Sequence, residues 1–525
     1  MIHGRRRRFP WLVASVSVLV VAVLLVPLGS IVAEADEAGS QELWRLLNRP
    51  LVTTLLWNSV SLALVVTVLA ALIGTGAAWL TERTTLPGRS VWVVLLITPI
   101  VIPDFVLTWT WVTIFPAVHG YWGAVLVMTL HLYPLVYLPM LAAFRAADPG
   151  QEEAARGLGL SRLAVWLRIS VRQARATLLG GCLLACLALL GYYGSFEDLG
   201  YRTFTTAIFG ELQIAFSPAA ASALSLVLVA ISLVVLGGEA LFRERGRLQR
   251  PGALAQRVQT PLSLGKALPV AFVGVSALVV VALGFPLAIV GYWIAAGGSS
   301  GLPAAVSLGA ATGYTALYSA LAALLATILA LPVAMLASRH QRRWTKALER
   351  SSFIVLSLPG IVTALALVYF TTRNLLFLYQ SPALLVCAYA IMFFPLALVA
   401  MSPGVARASP RLEEAGRSLG KGPLAVRLRV TLPLLAPGLA AAFCFVFLEA
   451  ATELTATLLL VPTGVETLAS QFWAYAEEGA SFGAAAPFAA VMIALCAVPA
   501  FLLGRWFDRR FIGEPSRRSE PKPAT

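Results

Sequence analysis

Three carboxylates stand inside stretches of the chain that are otherwise almost entirely apolar. Asp104 lies in the segment ITPIVIPDFVLTW, and Glu449 and Glu453 lie four residues apart in another apolar run. A spacing of four places two side chains on one face of a helix. Because a carboxylate is costly inside a membrane, it faces water, a cation or a hydrogen-bond donor there. These three residues are therefore candidates for a pathway, although a structural hydrogen-bonding role for Glu449 and Glu453, or a place at the outer boundary of the membrane for Glu453, is at least as well supported.

The surroundings of Asp104 predict a broken helix. Pro99 and Pro103 flank it closely, and Pro359-Gly360 stands at the matching place in the second part of the chain. Helices interrupted at matching places can mark a transport pathway. The carboxylate of Asp104 can also simply satisfy the backbone groups that the prolines free. Both roles stay open at this point.

The other reactive residue types form no pattern typical of catalysis or metal binding. The five cysteines all lie in apolar segments, and the four histidines are scattered. A phosphate-binding loop of the form G-x-x-x-x-G-K-[ST] does not occur in the sequence. We therefore assign no catalytic residue, no metal ligand and no cofactor to this chain.

A duplicated polar segment is the most specific pattern in the sequence. Residues 148–169 read DPGQEEAARGLGLSRLAVWLRI and residues 409–430 read SPRLEEAGRSLGKGPLAVRLRV, and the two align without a gap. In each copy a capping residue and a proline open a short helix, which Gly159 or Gly420 ends in a left-handed conformation. A single copy fits a helix resting on lipid headgroups, but two matched copies favour docking to a duplicated partner.

Membrane-spanning helices must position all of these residues. The chain has 525 residues, of which 59% are hydrophobic and only 12% are charged, and its mean hydropathy is +0.83. Many apolar runs approach the ~20 residues that a spanning helix needs. We predict an all-α polytopic membrane protein with about twelve spans, at roughly 11–33, 51–80, 91–115, 122–144, 172–194, 219–241, 268–294, 309–337, 351–371, 382–402, 434–457 and 485–505.

The distribution of charge predicts the topology. The net charge of +14 lies in short segments between alternate apolar runs, as the positive-inside rule describes. This placement argues against a nucleic-acid partner and for a lipid bilayer, with both termini in the cytoplasm. The run RRRRFP before the first apolar segment resembles a secretory signal, but the length of that segment favours an uncleaved span.

The duplication divides the chain into two halves. We predict a first half over 1–242, a cytoplasmic linker over 243–267, a second half over 268–508 and a disordered cytoplasmic tail over 509–525. Six spans return the chain to the side on which it began, so the two halves are parallel repeats. A pathway is then expected between the halves.

The duplicated segments resemble the EAA motif of the permeases of ATP-binding-cassette (ABC) importers. The matching residues are Glu153, Ala154, Ala155 and Gly159 in the first copy, and Glu414, Ala415, Gly416 and Gly420 in the second. Glu152 and Glu413, the glutamates that directly precede them, are assigned with them to coupling with the ATPase. The resemblance implies a fold of the MetI-like type and two coupling helices that dock onto separate ATPase subunits, in two copies. It also implies a periplasmic or lipid-anchored solute-binding protein and a place in the bacterial inner membrane.

Two positions depart from the motif. Gly416 replaces an alanine, and Val171-Arg172 replaces the Leu-Pro that the second copy has at Leu432-Pro433. The second departure predicts that the chain leads into the fifth span differently in the first half.

The substrate is less well determined by the sequence. The stretch TELTATLLLVPTGVETLASQFW at 452–473 resembles the corresponding stretch of fused ferric-iron importer permeases, which implies ferric iron. Thiamine and aminophosphonate permeases share this layout and remain alternatives. A secondary transporter is the main rival of another class, but it gives no reason for two EAA segments. A membrane enzyme lacks support because no catalytic constellation stands at the ends of the spans.

Overall fold

The computed structural model describes residues 11–37, 39–147, 149–246, 261–301, 305–340, 342–408, 410–478 and 481–511. In this part of the chain helices dominate, and the only extended pairing is one isolated bridge between Thr84 and Leu262. The predictions for Arg5–Arg8, for most of the linker and for the end of the tail concern residues outside these ranges.

The helices of the first half follow one another closely along the chain. They are α1 (Trp11–Leu24), α2 (Val26–Glu37), α3 (Ser40–Leu47), α4 (Pro50–Arg83), α5 (Arg89–Ile97), α6 (Asp104–Val112), α7 (Gly120–Ala146), α8 (Pro149–Gly157), α9 (Arg162–Val165), α10 (Val171–Gln173), α11 (Arg175–Gly191), α12 (Gly194–Asp198), α13 (Phe204–Gln213) and α14 (Pro218–Gly246).

The second half repeats this order. Its helices are α15 (Leu268–Val279), α16 (Phe285–Gly301), α17 (Ala305–Arg339), α18 (Arg343–Ser352), α19 (Gly360–Asn374), α20 (Pro382–Arg407), α21 (Pro410–Ser418), α22 (Pro423–Val426), α23 (Leu432–Ala451), α24 (Thr455–Leu460), α25 (Leu468–Trp473) and α26 (Phe482–Phe511). Short 3₁₀ turns cover Thr98–Val101, Gly265–Ala267, Phe353–Ser357 and Leu376–Leu378, and π-helical turns cover Trp166–Ser170, Val280–Gly284, Arg427–Thr431 and Ala474–Glu478.

The number of spans agrees with the prediction. Eight helices of the described residues are long and apolar enough to cross a membrane, and the number rises to twelve if each of four bent helix pairs counts as one span. The bent pairs are α1 with α2 (42°), Arg89–Val101 with α6 (90°), Trp166–Gln173 with α11 (71°) and Arg343–Ser357 with α19 (102°).

The third and ninth spans are broken where the prolines predicted. Pro103 precedes α6 and Pro359 precedes α19, each in an extended conformation that a helix cannot continue. The break therefore exposes a helix N-terminus within the membrane region of each half. Asp104 is the first residue of α6, whereas Gly360 is the first residue of α19.

The first span of each half packs against helices of the other half. Helix α1 packs against α17 and α18, and α2 packs against α19. In return, α15 packs against α5 and α16 packs against α6. Because of this exchange, the hydrophobic core of the second half includes Val20 and Leu24 of α1, and the two halves are held together over a wide apolar surface.

The first span is longer than its apolar run. Helix α2 continues through the acidic stretch to Glu37, and the side chain of Glu34 is buried, where it accepts a hydrogen bond of 2.6 Å from Ser222. Glu37 forms an ion pair of 2.5 Å with Arg373 of α19. Part of the segment that follows the predicted first span (11–33) is therefore helical and binds both halves.

Candidate functional site

Both EAA segments fold in the same way. A nine-residue helix opens at a proline, α8 at Pro149 and α21 at Pro410, and ends two residues before a glycine. Gly159 has a φ of +84° and Gly420 a φ of +76°, which is the left-handed conformation that the sequence predicts. A second short helix and a π-helical turn follow in both copies. The capping residues Asp148 and Ser409 lie outside the described residues.

One side of each EAA helix faces solvent. Glu153 and Ala154 are exposed in the first copy, and Glu414 and Ala415 are exposed in the second.

Leu158 and Leu419 extend this exposed side at the C-terminal end of each EAA segment. Their exposed fractions are 83% and 80%, and they occupy the same place in the two copies. Sequence reasoning did not select these leucines, although an apolar residue beside the left-handed glycine of a polar helix was a signal for them. A paired apolar residue on a polar surface is typical of an interaction site.

The opposite side of each EAA helix packs against the turn that follows. Ala155 is buried at 6% exposure. At Gly416, which takes the matching place, a Cβ atom would lie 3.2 Å from Cγ2 of Val426. Only a small residue fits between the helix and this turn, which explains why both copies carry alanine or glycine here.

The first glutamate of each motif points into the protein. The Oε1 atom of Glu152 accepts hydrogen bonds of 2.8 Å from Arg83 and of 2.8 Å from Ser170, and its Oε2 lies 3.6 Å from Arg156. The side chains of Arg83 and Glu152 are only 5% and 6% exposed. Sequence reasoning grouped Glu152 with its neighbour Glu153, but the structure places the two on different sides of the helix.

Glu413 makes the corresponding contacts in the second half. Its Oε1 atom accepts hydrogen bonds of 2.6 Å from Arg339 and of 3.1 Å from Thr431. Burial raises the pKa of this carboxyl, but the hydrogen bond and the charge of Arg339, together with the Thr431 hydroxyl, outweigh burial and lower the pKa below its ordinary value. Glu413 is therefore an ionised carboxylate at neutral pH.

Asp104 lies at the break of the third span. Its Oδ2 atom accepts a hydrogen bond of 2.7 Å from the hydroxyl of Ser195, which belongs to α12. As the first residue of α6, the carboxylate also stands at the positive end of that helix. The broken helix thus supplies two stabilising features for a negative charge in the membrane region.

Glu453 takes a comparable place in the second half. It lies in the break between α23, which ends at Ala451, and α24, so the prediction that it shares one helix face with Glu449 is wrong. Its Oε1 atom accepts a hydrogen bond of 2.9 Å from the backbone N–H of Ala456 in α24. The same oxygen lies 2.8 Å from the place that a Cβ atom of residue 360 would take, so the Glu453 side chain packs directly against Gly360 at the start of α19. Each half therefore has one carboxylate beside the N-terminus of its broken span, although the two come from different positions in the sequence.

The structure brings the three predicted pathway carboxylates into one region. Glu449 and Glu453 of the second half each interact electrostatically with Asp104 of the first half. Glu449 is exposed although it lies within a predicted span. Glu453 also borders a cavity of about 10 Å³, whose other polar walls include Ser319 and Tyr389.

This acidic region has no set of metal ligands. Among the described residues, no group of three or more histidine, cysteine, aspartate or glutamate side chains has the geometry to hold a metal ion. The three carboxylates therefore lie near one another without forming a chelating site.

Comparisons with known proteins agree on the class of this chain. The family model described as "Binding-protein-dependent transport system inner membrane component" matches residues 70–247 and 327–513. The chain is 34% identical over 507 residues to the Fe(3+)-transport system permease protein FbpB 2 of Haemophilus influenzae, a match that covers 95% of this chain and 99% of that protein.

Two further relatives match shorter parts of the chain. The sulfate transport system permease protein CysT of Salmonella typhimurium is 26% identical over 236 residues, which cover 41% of this chain and 84% of CysT. The molybdenum transport system permease protein ModB of Escherichia coli is 27% identical over 207 residues, which cover 34% of this chain and 90% of ModB. All three relatives are permease subunits of transport systems.

Proposed function

The chain belongs to the binding-protein-dependent transport system inner membrane components, and from that premise we propose that this ABC importer permease carries ferric iron across the bacterial plasma membrane. A solute-binding protein delivers the ion on the outer side, and ATPase subunits supply the energy on the cytoplasmic side. The observation that carries the choice of a metal cation is the acidic region of Asp104, Glu449 and Glu453 between the halves.

The candidate substrates differ in the sign of their charge, since ferric iron is a cation and sulfate and molybdate are anions. Ionised carboxylates that lie close together create a negative potential that concentrates cations and repels anions. Sulfate and molybdate, which are oxyanions, would meet this repulsion on the way through. The match over nearly the full length of a ferric-iron permease supports the same choice of substrate.

The lack of a chelating site is compatible with transport. An ion crosses quickly only where binding is strong enough to admit it and weak enough to release it. Carboxylates on separate helices, such as Asp104 on α6 and Glu449 on α23, stabilise a passing cation without enclosing it. This arrangement supports a pathway rather than a storage site.

The exposed sides of the EAA helices support two copies of the ATPase. Glu153 and Leu158 in the first half, and Glu414 and Leu419 in the second, present the same charge and the same apolar side chain. Two identical partners can therefore bind the two halves in the same way. With an even number of spans and basic segments on this side, both termini of the chain also lie in the cytoplasm.

The substrate can be tested through the solute-binding protein that works with this permease. We expect the purified binding protein to bind ferric iron in preference to sulfate, molybdate, thiamine and an aminophosphonate, each measured by calorimetry. Tight binding of an organic ligand, with no binding of iron, would overturn the ferric-iron proposal and leave the permease role intact. Uptake of radioactive iron that continues without any ATPase subunit would instead favour a secondary transporter.

The pathway can be tested with conservative variants in proteoliposomes that contain the whole transporter. We expect Glu449→Gln to reduce ATP-driven iron uptake about tenfold or more, because it removes the charge and keeps the shape. Glu466→Gln is the matched control, since Glu466 is exposed in a loop outside the acidic region. Equal uptake by Glu449→Gln and the control would exclude Glu449 from the pathway.

Docking of the ATPase can be tested on the exposed glutamates. Glu153→Arg and Glu414→Arg each reverse a charge on the exposed side of one EAA helix, and we expect both to reduce co-purification of the ATPase subunit and substrate-stimulated ATP hydrolysis. If both variants retain normal hydrolysis and normal co-purification, the EAA helices are not the docking surface.

A further inference from the structure

The two glutamates that open each EAA motif have different surroundings. Glu153 and Glu414 face solvent, whereas Glu152 is buried and Glu413 is largely shielded. A partner that binds the exposed side of the EAA helix therefore does not reach the first glutamate. The contacts of that glutamate lie entirely within the permease.

A single carboxylate oxygen joins three elements in the first half. Arg83 is the last residue of α4, and Ser170 is the last residue of the π-helical turn that leads into the fifth span. Both donate to Oε1 of Glu152, each at 2.8 Å. The carboxylate thus connects the EAA helix to the cytoplasmic end of the second span and to the start of the fifth.

The second half repeats this connection with different residues. Arg339 is the last residue of α17, and Thr431 is the last residue of the π-helical turn Arg427–Thr431. Both donate to Oε1 of Glu413, and Arg339 adds a longer bond of 3.4 Å to Oε2. A threonine hydroxyl replaces the serine hydroxyl, so the chemistry of the connection is kept although the residue changes.

These contacts are well suited to transmit force. A nine-residue helix is too short to be stable alone, so its contacts determine where it lies. A charge-assisted hydrogen bond in a shielded place is strong and directional, and it cannot break without leaving a buried charge uncompensated. A displacement of the EAA helix must therefore move the ends of the two spans with it.

We propose that Arg83 and Arg339 are positioning residues that transmit movement of the EAA helices to the second and fifth spans of their halves. The inference rests on the proposed docking of the ATPase at these helices, and it adds the route by which that movement enters the membrane. The arginines contact neither the ATPase nor the substrate. They act through Glu152 and Glu413.

The test uses the complete transporter, with ATPase subunits and solute-binding protein, reconstituted in nanodiscs. Arg339→Glu and Glu413→Arg each place two like charges together, and the double variant restores an ion pair in the opposite orientation. The readout is the ratio of ATP hydrolysis with the ferric-iron-loaded binding protein to basal hydrolysis. We expect each single variant to lose at least about tenfold in this ratio while the ATPase still co-purifies, and the double variant to recover a large part of it.

Two further variants distinguish transmission of movement by the arginines from a purely structural role of the ion pairs. Arg339→Lys keeps the charge, and we expect it to retain most of the stimulation. Arg145→Gln is the control, because Arg145 forms a more exposed ion pair with Glu82 at 2.9 Å on the same side of the protein, and we expect its stimulation to be unchanged.

The possible failures are distinguishable. Full stimulation in the single variants of Arg339 and Glu413, with the ATPase still bound, would overturn the role of the arginines and leave the proposed function intact. A purely structural role would lower the yield or the thermal stability of the single variants but leave the ratio normal in the complexes that assemble. Failure of the wild-type permease to bind any ATPase would instead contradict the proposed function itself.

Discussion

Glu152 and Glu413 occupy matching places in the two halves, yet the first is held more firmly than the second. Glu152 and Arg83 have side chains that are 6% and 5% exposed, whereas Glu413 and Arg339 are each 16% exposed. Glu152 also has Arg156 as a further cation at 3.6 Å. Solvent therefore weakens the second ion pair more than the first, because water screens the charges.

The backbone around Arg83 adds a second difference. Its carbonyl accepts a hydrogen bond of 2.9 Å from the N–H of Leu262, and the N–H of Thr85 donates to the carbonyl of Leu262 at 3.0 Å. Leu262 lies near the end of the linker (243–267), so the segment that leads into the second half holds the end of α4 in place. In the second half, Arg339 instead donates to the carbonyl of Ala408, at 3.4 Å, next to the EAA helix.

The path into the fifth span differs as well. In the first half the chain bends by 71° between Trp166–Gln173 and α11, whereas Leu424–Ala451 forms one continuous span in the second half. Leu432-Pro433 opens α23 with a proline at a position where helices tolerate it. Val171-Arg172 lacks that proline, and the sequence-based expectation of a different path here is confirmed. The comparison indicates that the first EAA helix is the more rigidly held of the two.

The largest effect is expected when Arg83 or Arg339 is replaced, one at a time. Arg83→Met leaves the buried carboxylate of Glu152 with a strongly reduced set of donors, and we expect a loss of about 3–5 kcal/mol in stability. Arg339→Met affects a more exposed pair, and we expect a loss of about 1.5–3 kcal/mol. Thermal unfolding of both purified variants in detergent measures the difference. Equal losses would mean that the two halves hold their EAA helices equally firmly.

A smaller effect is expected from the contact between Leu262 and α4. Leu262→Pro removes the N–H that donates to the carbonyl of Arg83. We expect the free energy of unfolding to fall by about 1 kcal/mol. Leu262→Ala keeps that hydrogen bond and serves as the control. If hydrogen exchange at the cytoplasmic end of α4 is the same in both variants, the contact does not fasten the first half.

A still smaller effect is expected at the packing position of the EAA helices. Gly416→Ala places a methyl group 3.2 Å from the end of the Val426 side chain, which can move slightly on the short helix α22. Because alanine is favoured over glycine within a helix, we expect the free energy of unfolding to rise by about 0.5 kcal/mol. The reciprocal change, Ala155→Gly, should lose a similar amount in the first half. Destabilisation by Gly416→Ala would show that Val426 cannot yield.

The smallest effect is the change with pH in the stability that the Glu413–Arg339 ion pair contributes, which is expected to be absent near neutral pH. Because the pKa of Glu413 is lowered in the folded protein, the pair contributes its full stabilisation above the unfolded value of about 4.3. That contribution is lost as the pH falls through the lowered folded pKa. We therefore expect the stability difference between wild type and Glu413→Gln to be constant from pH 8 to about pH 5 and to shrink at lower pH. A change between pH 6 and pH 8 would contradict this assignment.

Local sequence patterns were sufficient to predict the helical architecture. Apolar runs of spanning length predicted the helices, and Pro103 and Pro359 predicted the broken spans, because a missing N–H and a fixed φ act on the chain where they stand. The left-handed Gly159 and Gly420 were predicted for the same local reason.

Long-range contacts account for what the sequence did not indicate. Arg83 and Glu152 lie 69 residues apart, and nothing in the composition of either segment distinguishes this pair from other charges on the cytoplasmic side. Helical spacing alone could not decide which of Glu152 and Glu153 faces inward. The room that Gly360 leaves for Glu453 depends on how two distant helices approach each other, and only the folded structure contains that information.

The pairing of Leu262 with Arg83 and Thr85 also bears on how unlike halves recognise each other. Leu262 lies near the end of the linker, in the segment that leads into the second half, and both of its backbone partners belong to the first half. If the chain were divided in the linker ahead of Leu262, the two pieces would retain this pairing, whereas two copies of the first half would lack it. Separately expressed halves are therefore expected to assemble one to one, with this short extended segment selecting the unlike partner over a second copy of the same piece.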